Sequence, residues 1–256
     1  MHRRLAMLLL LLVMVAGCGG TPASTPAARE VTVVAHRGGT PENTLSAFKA
    51  ALADPDVDII EMDVQVSKDG ALFIIHDKTV DRTTDGKGAI SELTSDQVKA
   101  LKTPKGGAES VPTLDDVLAL LAGAPGKRAF VEIKNPTPAD TPAKVLAALK
   151  HHGVADRAVV ISFDRPLLDE VKRLDPKQPV GFVSKAFGNV EKEYPSEYLV
   201  VTYGAATKDL VAEVQKAGRK VYVWTVNDKP IMETYIKMGV DGIISDQYRL
   251  LIEATR

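Results

Sequence analysis

Cysteine is nearly missing from this 256-residue chain; the one present is Cys18. A lone thiol excludes any internal disulfide. An excess of either charge is missing too. Lys and Arg number 32 against 33 Asp and Glu, the net charge is −1, and no basic run or stripe occurs, which excludes nucleic acid as an expected partner. Long hydrophobic runs are scarce. The longest, Leu5–Ala16, is twelve residues, too short to cross a bilayer as a helix. No G-x-G-x-x-G turn occurs, and the 19 glycines and 15 prolines are dispersed, so neither a dinucleotide fingerprint nor a low-complexity class applies. What remains is 45% hydrophobic and 25% charged, the make-up of one large globular domain.

The N-terminus reads as an address rather than as fold. Arg3 and Arg4 precede the apolar run, and Val15-Ala16-Gly17-Cys18 resembles a bacterial lipobox. Residues 1–17 are therefore expected to be a lipoprotein signal peptide, with Cys18 taking the lipid. Residues 18–30, rich in Gly, Thr, Pro and Ala, read as a flexible tether. The expected location is extracytoplasmic, with a membrane anchor through Cys18. Residues 31–256 form the domain.

In that domain short β-branched runs alternate with helical stretches. Strands are expected at Val31–Ala35, Val57–Val64, Arg128–Ile133, Ala158–Phe163, Val180–Ser184, Leu199–Tyr203, Val221–Val226 and Asp241–Ser245. Helices are expected at Pro41–Ala53, Thr113–Ala122, Ala143–His152, Pro166–Leu174, Phe187–Tyr194, Lys208–Ala217, Pro230–Met238 and Gln247–Ala254. Eight of each in alternation predicts a (β/α)₈ TIM barrel, against the rival of an open doubly wound sheet. Two stretches depart from the alternation. Asp69-Gly70 predicts that strand 2 turns back as a β-hairpin. Thr79–Val111, rich in polar residues with one short helix at Ser95–Leu101, reads as an insertion over one face.

Chemistry-bearing residues gather at strand ends. His36-Arg37 follows the first strand, giving an imidazole that moves protons near neutral pH and a two-pronged anion grip. With Asp69 and Gly70 as a two-residue loop, Lys68 faces Ala71, Val66 faces Phe73 and Asp63 faces His76. Glu61 shares the Asp63 face, and Glu132 and Lys134 share one face of the next strand. Adjacent buried carboxylates require something cationic. Either Glu61, Asp63 and Glu132 close around a hard divalent cation, Ca²⁺ or Mg²⁺, or Glu132–Lys134 and Asp63–Arg37 satisfy one another as ion pairs. Trp224, the only tryptophan, ends strand 7 either as a wall for substrate or as core.

Taken together, His36-Arg37-Gly38 with Pro41-Glu42-Asn43-Thr44, Glu61-Met62-Asp63-Val64, His76-Asp77 with Asp81-Arg82-Thr83-Thr84-Asp85-Gly86, Val111-Pro112-Thr113-Leu114, Val131-Glu132-Ile133-Lys134, Trp224-Thr225-Val226-Asn227 and Gly239-Val240-Asp241-Gly242-Ile243-Ile244-Ser245-Asp246 resemble the glycerophosphodiester phosphodiesterase family. The resemblance implies an irregular TIM barrel with an insertion after the hairpin. It implies a divalent metal on Glu61, Asp63 and Glu132, and acid/base roles for His36 and His76; our own reading, apart from the resemblance, favours His36 as base. The resemblance places Arg37 and Lys134 at the phosphate and Glu42 close to metal or substrate; for Trp224, the residue's own position leaves open a wall for the glycerol or core packing. The resemblance further implies hydrolysis of glycerophosphodiesters to sn-glycerol 3-phosphate and an alcohol. Two alternatives stand beside it. A phospholipase D-type enzyme on intact lipids calls for an apolar membrane-facing loop, and 79–111 is polar. A non-catalytic glycerophosphodiester-binding lipoprotein has no use for two histidines and three carboxylates together.

Overall fold

A computed structural model describes residues 31–186 and 194–256. The signal segment 1–17, Cys18 with its tether, and all but the last residue of the helix expected at Phe187–Tyr194 lie outside the described residues. The barrel begins with β1 (Thr32–Ala35) and β2 (Ile59–Val66). β3 (Leu72–Ile74) folds back antiparallel on β2, and a small ribbon of β4 (Lys102–Thr103) and β5 (Glu109–Ser110) follows. The barrel resumes with β6 (Arg128–Ile133), β7 (Ala158–Ser162), β8 (Val180–Ser184), β9 (Tyr198–Thr202), β10 (Lys220–Trp224) and β11 (Gly242–Ser245). Eight strands pair in parallel, and β1 bonds both β11 and β2, so the sheet closes as a TIM barrel. Its helices are α1 (Leu45–Ala53), α3 (Leu114–Ala122), α4 (Thr141–His151), α5 (Arg165–Leu174), α6 (Lys208–Lys216), α7 (Lys229–Met238) and α8 (Tyr248–Ala254), with α2 (Ser95–Ala100) in the insertion. Among the described residues, no helix is long and apolar enough to cross a membrane.

The helix starts follow local chemistry. Thr113 caps α3 by accepting from Asp116 N, and Asp116 returns the bond to the Thr113 N–H, a reciprocal box. The first helix begins later than expected. Asn43 sits at φ 52, so Pro41–Asn43 cannot be helical, and Thr44 rather than Thr40 becomes the cap, accepting from Ala47 N.

Strand alternation sorts the core into two layers. Residues facing outward, such as Ile60, Met62, Val64 and Val131, pack under the helices. Residues facing inward plug the barrel: Val34, Ile59, Phe130, Ile161, Tyr198 and Tyr222 are among them. Phe130 meets Tyr198 and Tyr222 edge-on at centroid distances of 5.7 and 5.0 Å. Gly242 makes room for the plug, since a Cβ there would lie 2.1 Å from the Tyr222 ring. The insertion has its own small core, in which Ile90, Val98 and Val111 pack on Phe73 and Ile75.

The hairpin exists, with a register one residue away from the expected one. Val66 pairs with Leu72, Gln65 with Phe73 and Val64 with Ile74. The loop holds three residues, Lys68-Asp69-Gly70, because Ser67 N donates to Ala71 O and Gly70 takes φ 85. The Asp69 carboxylate stabilises it by accepting from Ser67 Oγ and from Ser95 N and Oγ. Ile75, not His76, therefore lies opposite Asp63, with Ile75 N donating to Asp63 O.

Candidate active site

The inward-facing positions continue past the apolar plug, two residues further along each strand. After Val34 comes His36; after Ile59 come Glu61 and Asp63; after Phe130 come Glu132 and Lys134. After Tyr222 comes Trp224, and after Ile244 comes Asp246. Strand period two thus carries the plug straight into a polar mouth at the C-terminal ends of the strands, where barrel enzymes keep their chemistry.

Glu61, Asp63 and Glu132 lie together and are buried, with one oxygen from each within 4.8 Å of the others. Register explains the last two, since Asp63 pairs with Glu132 across β2 and β6. Lys134 Nζ is 2.7 Å from both Asp63 Oδ1 and Glu132 Oε1. Those two oxygens make ion pairs but lack hydrogen-bond geometry, and Glu61 Oε1 has no hydrogen-bond partner among the described residues. Both readings of the acids therefore meet here, with a lysine among them and oxygens still to satisfy. A buried all-oxygen donor set with unspent lone pairs fits a hard divalent cation.

The acids divide by environment. Burial, followed by the neighbouring Asp63 charge, pushes the Glu61 carboxyl up to about 8. Burial acts on Asp63 in the same sense, but Lys134 and Arg37 outweigh it and hold that carboxyl well below the ordinary range. Lys134, though buried, is held firmly protonated by Asp63 and Glu132.

A strained turn after β1 presents Arg37. Its φ is 54, its N–H donates to Glu61 Oε2 at 2.9 Å, and its Nε lies 3.3 Å from Asp63 Oδ2. Gly38 follows at φ 77, where a Cβ would sit 2.8 Å from the Phe48 ring. Glu42 does not line the cavity. Its carboxylate accepts from Arg37 Nη1 and from both terminal nitrogens of Arg82 in the insertion.

His36 Nδ1 is 2.6 Å from Asp246 Oδ1, and its Nε2 is 3.8 Å from Glu61 Oε2. Burial works against its charge, yet Asp246 and Glu61 leave it more basic than usual. His76 reaches the same cavity despite the shifted hairpin, because β3 ends at Ile74 and the chain bends through His76–Lys78. Its Nδ1 is 2.7 Å from Asp77 Oδ1, and Asp77 is gripped in turn by Arg82. Burial lowers its basicity.

One inner cavity of about 80 Å³ is lined by His36, Arg37, Glu61, His76, Glu132 and Lys134, with Phe163 and Trp224 on its far side. Trp224 is half-buried, and its Nε1 has no hydrogen-bond partner among the described residues. Residues not singled out from the sequence for the site are Asn43, whose Nδ2 donates to Asp63 Oδ2, the supports Asp77, Arg82 and Asn227, and Lys185. Lys185 carried a readable signal, standing two residues beyond the plug residue Val183.

Cations and imidazoles ranged around buried carboxylates at a barrel mouth define an enzyme of phosphate-ester chemistry. The chain belongs to the glycerophosphoryl diester phosphodiesterase family, whose model matches residues 35–250. It is 36% identical over 242 residues to a glycerophosphodiester phosphodiesterase of Caldanaerobacter subterraneus, covering 88% of this chain and 97% of that one. Among solved structures it resembles an Oleispira antarctica phosphodiesterase in complex with the product sn-glycerol-3-phosphate, with TM-score 0.80, 28% identity and coverage of 87% and 96%. A glycerophosphodiester phosphodiesterase from Parabacteroides distasonis is similar as well, with TM-score 0.76, 26% identity and coverage of 88% and 98%.

Proposed function

We infer that this protein hydrolyses glycerophosphodiesters to sn-glycerol 3-phosphate and an alcohol, with Glu61, Asp63 and Glu132 holding a divalent ion, Ca²⁺ or Mg²⁺. The observation that carries this reading is that both imidazoles, Glu61, Glu132, Arg37 and Lys134 line one small cavity, with Asp63 buried beside Glu61 and Glu132. The bound ion supplies Lewis-acid stabilisation of charge on the phosphoryl oxygens. Arg37 and Lys134 add fixed positive charge in a site largely closed to water.

His36 is assigned as base. Asp246 at Nδ1 sets the tautomer, leaving Nε2 to take the proton of the glycerol hydroxyl next to the phosphate. That oxygen bonds to phosphorus, the bond to the alcohol oxygen breaks, and His76 gives the departing oxygen its proton. Water then opens the cyclic phosphate with the two imidazoles in exchanged roles. The first attack is intramolecular and so gains from proximity. Glu61 and Asp63 contribute to the raised basicity of His36, and a cation among them removes their share of that pull. Trp224, with its free indole N–H, is assigned to the glycerol side, and Glu42 to holding Arg37 in place.

The lipoprotein form belongs to the same reading. The Val15-Ala16-Gly17-Cys18 sequence supports lipidation of Cys18, a tether over 18–30 and an extracytoplasmic enzyme at a membrane surface. The phospholipase D alternative is disfavoured by the polar insertion, whose apolar residues Ile90, Val98 and Val111 are turned inward. Incubating the purified protein with glycerophosphoglycerol and following glycerol 3-phosphate enzymatically tests the assignment. Release of that product is expected; a protein that binds the diester without cleaving it would establish the binding-lipoprotein reading instead.

A further inference from the structure

We propose that Lys185 selects the alcohol half of the substrate, favouring glycerophosphodiesters whose alcohol carries an anionic group over those whose alcohol ends in a quaternary ammonium. The inference rests on the phosphodiesterase reading and extends it to the leaving group.

Two cavities meet at the barrel mouth. The inner one contains both histidines, whereas the outer one, of about 530 Å³, contains His76 but not His36. The group that protonates the departing oxygen thus stands at the doorway between them, which puts the alcohol in the outer cavity. Phe163 forms one wall there, and its ring meets Trp224 edge-on at 5.6 Å. The Phe163 face of that pair, on the outer-cavity side, is a usual kind of seat for a trimethylammonium group.

Here the protein's own cation holds that seat. Lys185 Nζ lies 5.7 Å from the centroids of both Phe163 and Trp224. Lys185 is exposed and makes no ion pair among the described residues. Lys78, also exposed on the same cavity, likewise has no carboxylate partner among the described residues. The acids of this cavity are already engaged, Asp77 by Arg82 and His76, and Glu132 by Lys134. The unspent charge facing the alcohol is therefore positive. A quaternary ammonium would have to displace or approach a fixed like charge, whereas a phosphate or carboxylate on the alcohol would meet two free ammonium groups.

The test is a comparison of kcat/KM for glycerophosphoinositol 4-phosphate, glycerophosphoglycerol and glycerophosphocholine, in the wild type, Lys185→Met and Lys185→Glu. Met keeps the stem over the rings and removes the charge. The wild type is expected to prefer the anionic substrate to the cationic one by about tenfold or more, the scale of one charge contact near a protein surface. That ratio should shrink towards unity in Lys185→Met, invert in Lys185→Glu, and fall with added salt in the wild type. A wild-type ratio near one, or a ratio unmoved by either substitution while the substrates are turned over, overturns the role of Lys185 and leaves the phosphodiesterase assignment standing. No turnover of any substrate by the metal-supplied wild type overturns that assignment, and this inference with it.

Discussion

Each imidazole is held at Nδ1 by a carboxylate, His36 by Asp246 and His76 by Asp77, and each carboxylate has a second partner, Asn227 or Arg82. Rotamer and tautomer are thereby fixed before substrate arrives, and Nε2 is the atom left for proton transfer. His36→Ala and His76→Ala should each lower kcat by about 10²-fold or more, the usual worth of a positioned acid or base. Thermal melting read by circular dichroism should stay close to wild type. Wild-type turnover in either variant would remove that residue from the chemistry. The two buried acids nearest them are set apart by their neighbours. Glu61 is pushed up by burial, and Asp63 is pinned ionised by Lys134 and Arg37. Arg37 can hold this position because its turn accepts a positive φ and bonds Glu61 through its own N–H.

Strands carry most of what a reader of the sequence could extract. Their β-branched runs announced themselves, and period two linked each plug residue to a site residue two positions on, as Val34 to His36 and Phe130 to Glu132. That rule needs no long-range knowledge, which is why Glu61, Asp63, Glu132 and Lys134 were visible together. The hairpin shows where it stops. Asp69-Gly70 signalled the turn, but the number of loop residues depends on bonds from Asp69 to Ser67 and Ser95, the latter 26 positions away. His76 comes to the cavity through a bend after Ile74 rather than through the expected pairing with Asp63. Arg82 and Asn43 were illegible as supports, since Glu42 and Asp63, which they bond, come from distant segments, and Asp77 gained its meaning only once His76 was placed. The motifs that resemble the family named the principal site residues but not this bracing. Element-level stability is open to measurement. Phe130→Ala removes the aromatic centre of the plug and should cost about 3–5 kcal/mol, read as a lower denaturant midpoint at unchanged slope. Thr113→Ala deletes the α3 cap and should cost about 1 kcal/mol. Losses of equal size in the two variants would contradict this ranking of core over cap.

On the scale of the whole molecule, closure of eight parallel strands brings residues from both ends of the chain to one rim, so that Asp246 supports His36 across 210 positions. Chain order and catalytic neighbourhood are thereby uncoupled. The lipid anchor proposed at Cys18 would hold the barrel near a membrane through the tether. A Cys18→Ala variant should then leave the membrane fraction on cell fractionation, while unchanged partitioning would refute lipidation. One acyl chain binds only marginally, so the retained wild type should carry more than one.

In the proposed function, three buried carboxylates hold a divalent ion needed for phosphodiester cleavage. The most direct test of that requirement is metal content and glycerol 3-phosphate release measured on the same preparations, before EDTA treatment, after it, and after Ca²⁺ or Mg²⁺ is returned, with Glu61→Gln and Asp63→Asn alongside. Activity is expected to fall as the bound ion is removed, to return with it, and to fail to return in either variant. Full turnover by protein shown to be free of metal would contradict the requirement.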